Sequence, residues 1–387
     1  MKKRVLYYVG NDPAQGPAVW RASDPRQLSS AADVRWLDPR RLWADPPILS
    51  QEERAALAAG RLTGVNLRHP HWQRALAFVT PKKRKKRVHL LTAGDAEGAL
   101  LTALKLLGGK EIAAIGIRDL DGNTGARWAA EMGQISWPWD YNSLPEVEVV
   151  PEEELFRCDI FLFAAAKAVP PVGSEAQDAR MARLEASRPL VERFARQARE
   201  ADFRGLFVVL SDPVDPLCQA AWRASNTGPD GAPDHQGLLP EQVQGFGLGV
   251  MNARAAYLAK QEPRFAAFLT EGRSFGSHGQ GLVIANSVQH YDDALSRELT
   301  QRTLEANLRA REPGFRPHVA PAVSSGAMQL LLALRGQWHC GSVPLGGVWF
   351  GCRNRFTAQG LEIETLDLPD ALFDRLRETE KSLHNPL

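Results

Sequence analysis

Cysteine is scarce in this 387-residue chain: Cys158, Cys218, Cys340 and Cys352, with no CxxC pair and no metal-ligand spacing. That argues against a disulfide-stapled scaffold and against a bound metal, and it fits reduced thiols in a cytoplasmic protein. Charge of one sign is missing too. The 47 basic and 45 acidic residues leave a net charge of +2, too little for coating nucleic acid or an acidic lipid surface. No stretch approaches the roughly 18 uninterrupted apolar residues of a membrane span. The basic start, MKKRVLYYVGNDP, breaks at Gly10-Asn11-Asp12-Pro13 before an export-signal core could form. Internal repeats and low-complexity tracts are also lacking. What remains is 44% hydrophobic and 24% charged, long enough for two domains and a substantial core.

Residues 1–86 form a distinct N-terminal zone, read as a small α/β region. Val5 to Val9 and Val34 to Leu37 are strand candidates, each closed by Asp, Pro or Gly. Ser50 and Glu53 make a capping box for a short helix that Gly60 stops. Trp20, Trp36, Trp43 and Trp72 read as core or interface anchors. The zone carries no catalytic motif and is a candidate surface for a protein partner. It closes on six consecutive basic residues, 82–87. Such a run resembles a nuclear-import signal or a nucleic-acid patch, but no aromatics interleave it and the rest of the chain is nearly neutral. A solvated linker entering a strand is the expected reading, and it marks a domain boundary.

After residue 87 the pattern changes. Apolar runs at 88–91, 112–117, 159–163 and 206–210 alternate with helical segments, which implies a parallel sheet covered on both faces. The first run leads through Thr92-Ala93-Gly94-Asp95-Ala96-Glu97-Gly98 into a helix ending at Gly108-Gly109. This is the layout of a dinucleotide-binding βαβ unit, in which helix N-terminal amides face a pyrophosphate across small side chains. Gly94 and Gly98 suit that role, whereas Thr92 and Glu97 depart from the glycine fingerprint. Asp119 or Asp121, past the second strand, is placed to hold a ribose, and Arg118 beside them keeps NADP open alongside NAD.

Four later segments resemble, in order, the L-lactate/malate dehydrogenase family. FVVLSDPVDPLCQAAWR at 207–223 is similar to the family's strand and Asn-Pro-Val-Asp turn, and GFGLGVMNARAAYLA at 245–259 to the helix carrying its substrate-binding arginine. EGRSFGSHGQG at 271–281 resembles the loop with the catalytic His-Gly pair. HVAPAVSSGAMQLLLAL at 318–334 resembles the later helix in its malate-enzyme form. The resemblance covers residues 87 to about 387. It implies a Rossmann-type doubly wound parallel sheet at 87–215, followed by an α+β substrate domain at 216–387. It also implies a homo-oligomer, a small-molecule carboxylate substrate, and NAD or NADP as cofactor.

Hydride transfer to or from a 2-hydroxy or 2-oxo acid needs a cation to clamp the carboxylate and a His to exchange the hydroxyl proton. A second cation on a closing loop stabilises charge on the oxygen. The resemblance puts Arg254, His278 and Arg180 in these roles, with Arg183 the alternative for the last. Asp212 takes the position of the asparagine that contacts substrate and nicotinamide. The carboxylate that orients the family's histidine aligns with Met251, next to Asn252, and the acidic residues flanking His-Gly are Ser277 and Gln280. A carboxylate at 212 should repel an anionic 2-oxo acid. Ordinary pyruvate or oxaloacetate are therefore expected to be poor substrates, and a larger acid carrying an amine for Asp212 a better fit. Two functions follow as expectations: an oxidoreductase acting on an unusual 2-hydroxy or 2-oxo acid, or a catalytically degenerate accessory or binding protein that keeps the fold. His339 beside Cys340 lacks further partners at ligand spacing, and residues 370–384 read as an amphipathic surface helix.

Overall fold

A computed structural model of the chain describes residues 4–78, 84–92, 97–120, 123–165, 176–308, 312, 314 and 318–384, without the side chains of Thr92 and of residues 176–180. The N-terminal zone holds β1 (Val5–Val9), β2 (Val19–Arg21), α1 (Gln51–Ala58), β3 (Leu62–Asn66) and α2 (Trp72–Phe78). The Ser50–Glu53 capping box is formed as expected, each side chain bonding the other residue's backbone N–H. Val34–Leu37 is not a strand. It is a 3-10 turn, because the Asp33 carboxylate accepts from Arg35 N and closes the backbone locally instead of leaving it extended. Trp20 and Trp36 pack together in the core with ring centroids 5.3 Å apart, whereas Trp43 stands exposed beneath the Arg35 guanidinium.

The apolar runs then form β4 (Lys86–Thr92), β5 (Ile112–Asp119), β6 (Glu146–Val149), β7 (Ile160–Phe163), β8 (Leu206–Val209) and β9 (Val243–Gly245). Neighbours are parallel throughout and lie in the order β6-β5-β4-β7-β8-β9. The order reverses between β4 and β7, and ligands of doubly wound sheets bind in the crevice at such a point. Connecting helices are α3 (Glu97–Leu107), α4 (Thr124–Gly133), α5 (Ala176–Glu200) and α6 (Val214–Ser225). Both sheet faces are buried. Leu90, Ile115, Leu162 and Val208 pack with Leu101 and Leu104 of α3, while Leu91, Phe161, Phe163 and Phe207 pack with Phe194 of α5 and Leu217 of α6. Burial on alternate faces explains why these strands are nearly continuous apolar runs.

The second half comprises α7 (Leu248–Gln261), α8 (Phe268–Glu271), the hairpin β10 (Arg273–Gly276) and β11 (Leu282–Ala285), and α9 (Asp293–Glu305). A π-helical stretch, Pro321–Ala327, runs into α10 (Met328–Leu334). Then come β12 (His339–Leu345), β13 (Val348–Thr357), β14 (Gly360–Ile363) and α11 (Asp370–His384). Strand β12 joins β9 antiparallel through Ser342 and Gly245, and the sheet continues through β13, β14, β2 and β3 to β1. Among the described residues one twelve-stranded sheet therefore spans the molecule. The N-terminal strands complete it: Trp20, Trp36 and Leu62 share a core with Phe275, Val343, Phe350 and Leu361. Helix α11 is amphipathic as expected and buries Leu372, Phe373 and Leu376 in the same core.

Of the basic run, residues 82 and 83 lie outside the described residues. Lys86 and Arg87 open β4, Arg84 pairs with Asp159 at 2.6 Å, and Arg87 pairs with Glu148. No described helix is long and apolar enough to cross a membrane.

Candidate active site

His278 lies on the loop that joins β10 to β11. The turn is tight: Gly276 has φ +78°, Leu282 N donates to Gly279 O at 2.9 Å, and the Ser277 hydroxyl donates to the Gln280 carbonyl. Asp215, buried in the first turn of α6, anchors this loop to the sheet. One of its oxygens accepts the His278 backbone N–H at 3.3 Å, and the other accepts the Ser342 hydroxyl of β12. Between β8 and α6, the Ser211 hydroxyl donates to the Ala165 carbonyl at 2.8 Å, tying the ends of β8 and β7 together. The next residue, Asp212, faces the histidine.

His278 Nδ1 lies 3.5 Å from Asp212 Oδ1, and Arg183 Nη1, on α5, lies 2.8 Å from Asp212 Oδ2. A sequence Arg183–Asp212–His278 thus spans α5, the β8–α6 turn and the β10–β11 loop. Nδ1 is buried and makes no hydrogen bond, while the histidine side chain keeps 22% of its surface exposed. The accessible part of the ring is therefore not its Nδ1 atom. Three of the residues singled out in the sequence are brought together here, in an arrangement that sequence reasoning did not anticipate. The signal lay in the resemblance itself, which aligns Asp212 with an asparagine and Met251 with a carboxylate. Arg254, on α7, is partly buried with Nη1 3.6 Å from the Met251 sulfur.

The residues expected at a dinucleotide are placed less completely. Gly94 and Asp121 lie outside the described residues, as does the side chain of Arg180, whose backbone lies within α5. Gly98 is buried in the first turn of α3, where a Cβ would come within 2.3 Å of the Trp128 ring on α4, so its bareness lets the two helices pack. Asp119 ends β5 with 5% of its surface exposed, and its carboxylate accepts from Gly125 N at the start of α4. A ribose would have to share that carboxylate with the helix. Arg118 pairs with Glu152 at 3.3 Å.

Other reactive groups are held out of play. Burial pushes all four thiols up from their ordinary range, which removes the thiolate as a nucleophile at neutral pH. Burial also lowers His339 to about 4, and its ring faces the Gln337 carbonyl and the Gln244 amide oxygen.

This architecture has close counterparts among solved structures. A lactate dehydrogenase from a Medee basin deep-sea metagenome library superposes with a TM-score of 0.61 at 15% identity, over 79% of this chain and 98% of its own. The malate dehydrogenase from Archaeoglobus fulgidus gives 0.57 at 17% identity, and the minor L-lactate dehydrogenase from Enterococcus mundtii 0.60 at 16%, each over 78% of this chain and 98% of its own. The chain has the lactate/malate dehydrogenase fold. No family model and no curated protein matches its sequence. The expected dehydrogenase architecture is thus borne out as a fold, and about a fifth of the chain lies outside each superposition.

Proposed function

We propose that the protein is an NAD(P)-dependent oxidoreductase acting on an unusual 2-hydroxy or 2-oxo acid. The observation that carries this reading is His278, fixed at the hairpin loop with Nδ1 turned to a carboxylate, in a lactate/malate dehydrogenase fold. The fit to a dinucleotide rests on the strand order, which reverses between β4 and β7 beside the N-terminus of α3. One malate dehydrogenase of this fold was solved with NADH, the cofactor class proposed here. Gly94, Gly98, Asp119, Asp121 and Asp212 are the residues assigned to hold it.

A bound nicotinamide would supply the hydride acceptor or donor for the substrate's C2. In the oxidising direction His278 accepts the hydroxyl proton, leaving a carbonyl at C2 and an imidazolium. Arg254 is assigned to hold the substrate carboxylate through its two-pronged guanidinium. Arg180 is assigned to the charge developing on the oxygen. Arg183, the other candidate for that task, is already paired with Asp212. This pairing also removes the need for an amine on the substrate, since Arg183 supplies the charge opposite Asp212. Asp212 still reshapes the pocket, so lactate and malate are expected to be poor substrates.

One observation favours the second reading, a catalytically degenerate binding protein: Met251 stands where the family's orienting carboxylate would lie. Titration of NADH and NADPH, followed by nicotinamide fluorescence, separates the readings when coupled to a panel of 2-oxo acids of increasing size. Saturable binding with turnover of a larger acid supports the oxidoreductase. No saturable binding at millimolar NADH, or efficient lactate or malate oxidation, overturns this account of the site.

A further inference from the structure

We infer that Asp212 is the positioning carboxylate of His278, and that Arg183 holds Asp212 in place. Two facts carry the inference: the 3.5 Å approach of Asp212 Oδ1 to the buried Nδ1, and the 2.8 Å contact of Arg183 with the other oxygen, Oδ2.

Neutral imidazole carries one proton on one of two nitrogens, and the acceptor beside one nitrogen decides which. Nδ1 has no other hydrogen bond, so placing the proton there satisfies a buried atom that would otherwise have no partner. The Nε2 lone pair is then left for a substrate proton. The 3.5 Å separation exceeds the ~2.9 Å of a formed N–H···O bond, and catalytic contacts of this kind tighten in the complex with substrate.

The anchoring is asymmetric. Asp212 follows Ser211, which is bonded to the Ala165 carbonyl, and the histidine loop is held separately through Asp215. Both ends of the contact are therefore attached to strands of the main sheet. Arg183 takes Oδ2, the oxygen that does not face the histidine, and offsets the carboxylate charge, so an anionic ligand could enter beside it. In this chain the orienting carboxylate comes from the β8–α6 turn rather than from α7, where Met251 stands.

The kinetic consequence rests on the oxidoreductase reading, but the proton position does not. The test is 15N NMR of the full-length, histidine-labelled protein without ligands, at a pH where His278 is neutral, with its signals identified by their loss in His278→Ala. The wild type should show mainly the Nδ1–H form, and Asp212→Ala mainly the Nε2–H form. Asp212→Ser, which keeps a polar group but withdraws the acceptor, should match Asp212→Ala and serves if the alanine variant fails to fold. Arg183→Gln should give a mixture. A wild type already in the Nε2–H form, or an Nδ1–H form that persists in either Asp212 variant, overturns the proposal. If turnover is established, Asp212→Ala should lower kcat at least 100-fold. Absence of NADH binding would reject the oxidoreductase reading and leave the proton result standing. Turnover with an unchanged proton position would reject only this proposal.

Discussion

Arg183 and Arg254 carry the same charge in different settings. Arg183 faces a carboxylate at 2.8 Å, whereas Arg254 Nη1 lies 3.6 Å from the Met251 sulfur. The guanidinium fork suits a carboxylate ligand, whose two oxygens match its two N–H prongs. Arg254→Lys keeps the charge but loses the fork, so the Kd of the true acid substrate should rise at least tenfold, about 1.4 kcal/mol. His278→Ala should remove turnover while leaving binding largely intact, because a group that acts on the proton contributes mainly in the transition state. Calorimetric titration of both variants with the best acid from the substrate panel, alongside steady-state rates, checks this. Normal binding and turnover by Arg254→Lys would remove Arg254 from the site. These assignments come from the sequence, where the residues flanking Arg254 and His278 resemble a family pattern. The Asp212–His278 approach was not legible there, since 66 positions separate the pair and only the fold brings the two loops together.

The elements that carry the site were mostly readable from local chemistry. Strands β4, β5, β7 and β8 announce themselves as short apolar runs, and α1 by its capping box. The miss at Val34–Leu37 has a local cause: apolar residues suggest a strand, but an aspartate on each side offers the backbone a turn. The histidine loop depends on a closer fit. Gly276 ends β10 at φ +78°, where a Cβ would lie 2.0 Å from the Gly281 carbonyl oxygen, and the Gly276 carbonyl lies 2.1 Å from where a Cβ on Gly351 of β13 would sit. Backbone therefore meets backbone on both sides, with no flexible side chain to give way. Gly276→Ala should cost roughly 1–3 kcal/mol of stability from overpacking and the disfavoured φ. It should also lower turnover more than NADH binding, because the displaced loop carries His278. Urea unfolding and kinetics measured together test this, and an unchanged unfolding midpoint would show that the turn relaxes freely.

Across the whole molecule, the least legible feature is how residues 1–86 attach. The basic run at 82–87 marks a change of sequence pattern, yet apolar residues on both sides of it bury a common core, and β2 pairs with β14 through Trp20 and Leu361. Partnership over more than 300 residues leaves no local period to read. Glu241 shows the attachment at its tightest. It sits with no exposed surface in the 3-10 turn before β9, and its two oxygens accept from Ala18 N at 2.9 Å and Val19 N at 3.1 Å, at the start of β2. Burial raises its pKa from the ordinary 4.5 to about 7, although both backbone donors and the Arg74 charge pull the other way. Between those values the folded protein binds the proton more tightly than the unfolded chain, so the contribution to stability falls as pH rises from about 4.5 to about 7 and is level above. Glu380, also raised to about 7, acts in the same sense; His69, lowered to about 3, and His339, lowered to about 4, act in the opposite sense below their ordinary 6.5. The comparison must therefore be a difference between two proteins. Glu241→Gln cannot ionise, and its amide meets one backbone N–H with a donor, a cost that does not vary with pH. Relative to wild type, the variant should gain stability between pH 5 and 7.5, by an amount on the order of 3 kcal/mol if the full shift is expressed, and then run parallel above pH 8. Urea unfolding of both proteins at half-unit intervals measures this, and profiles parallel over the whole range would mean that Glu241 ionises alike in the folded and unfolded chain.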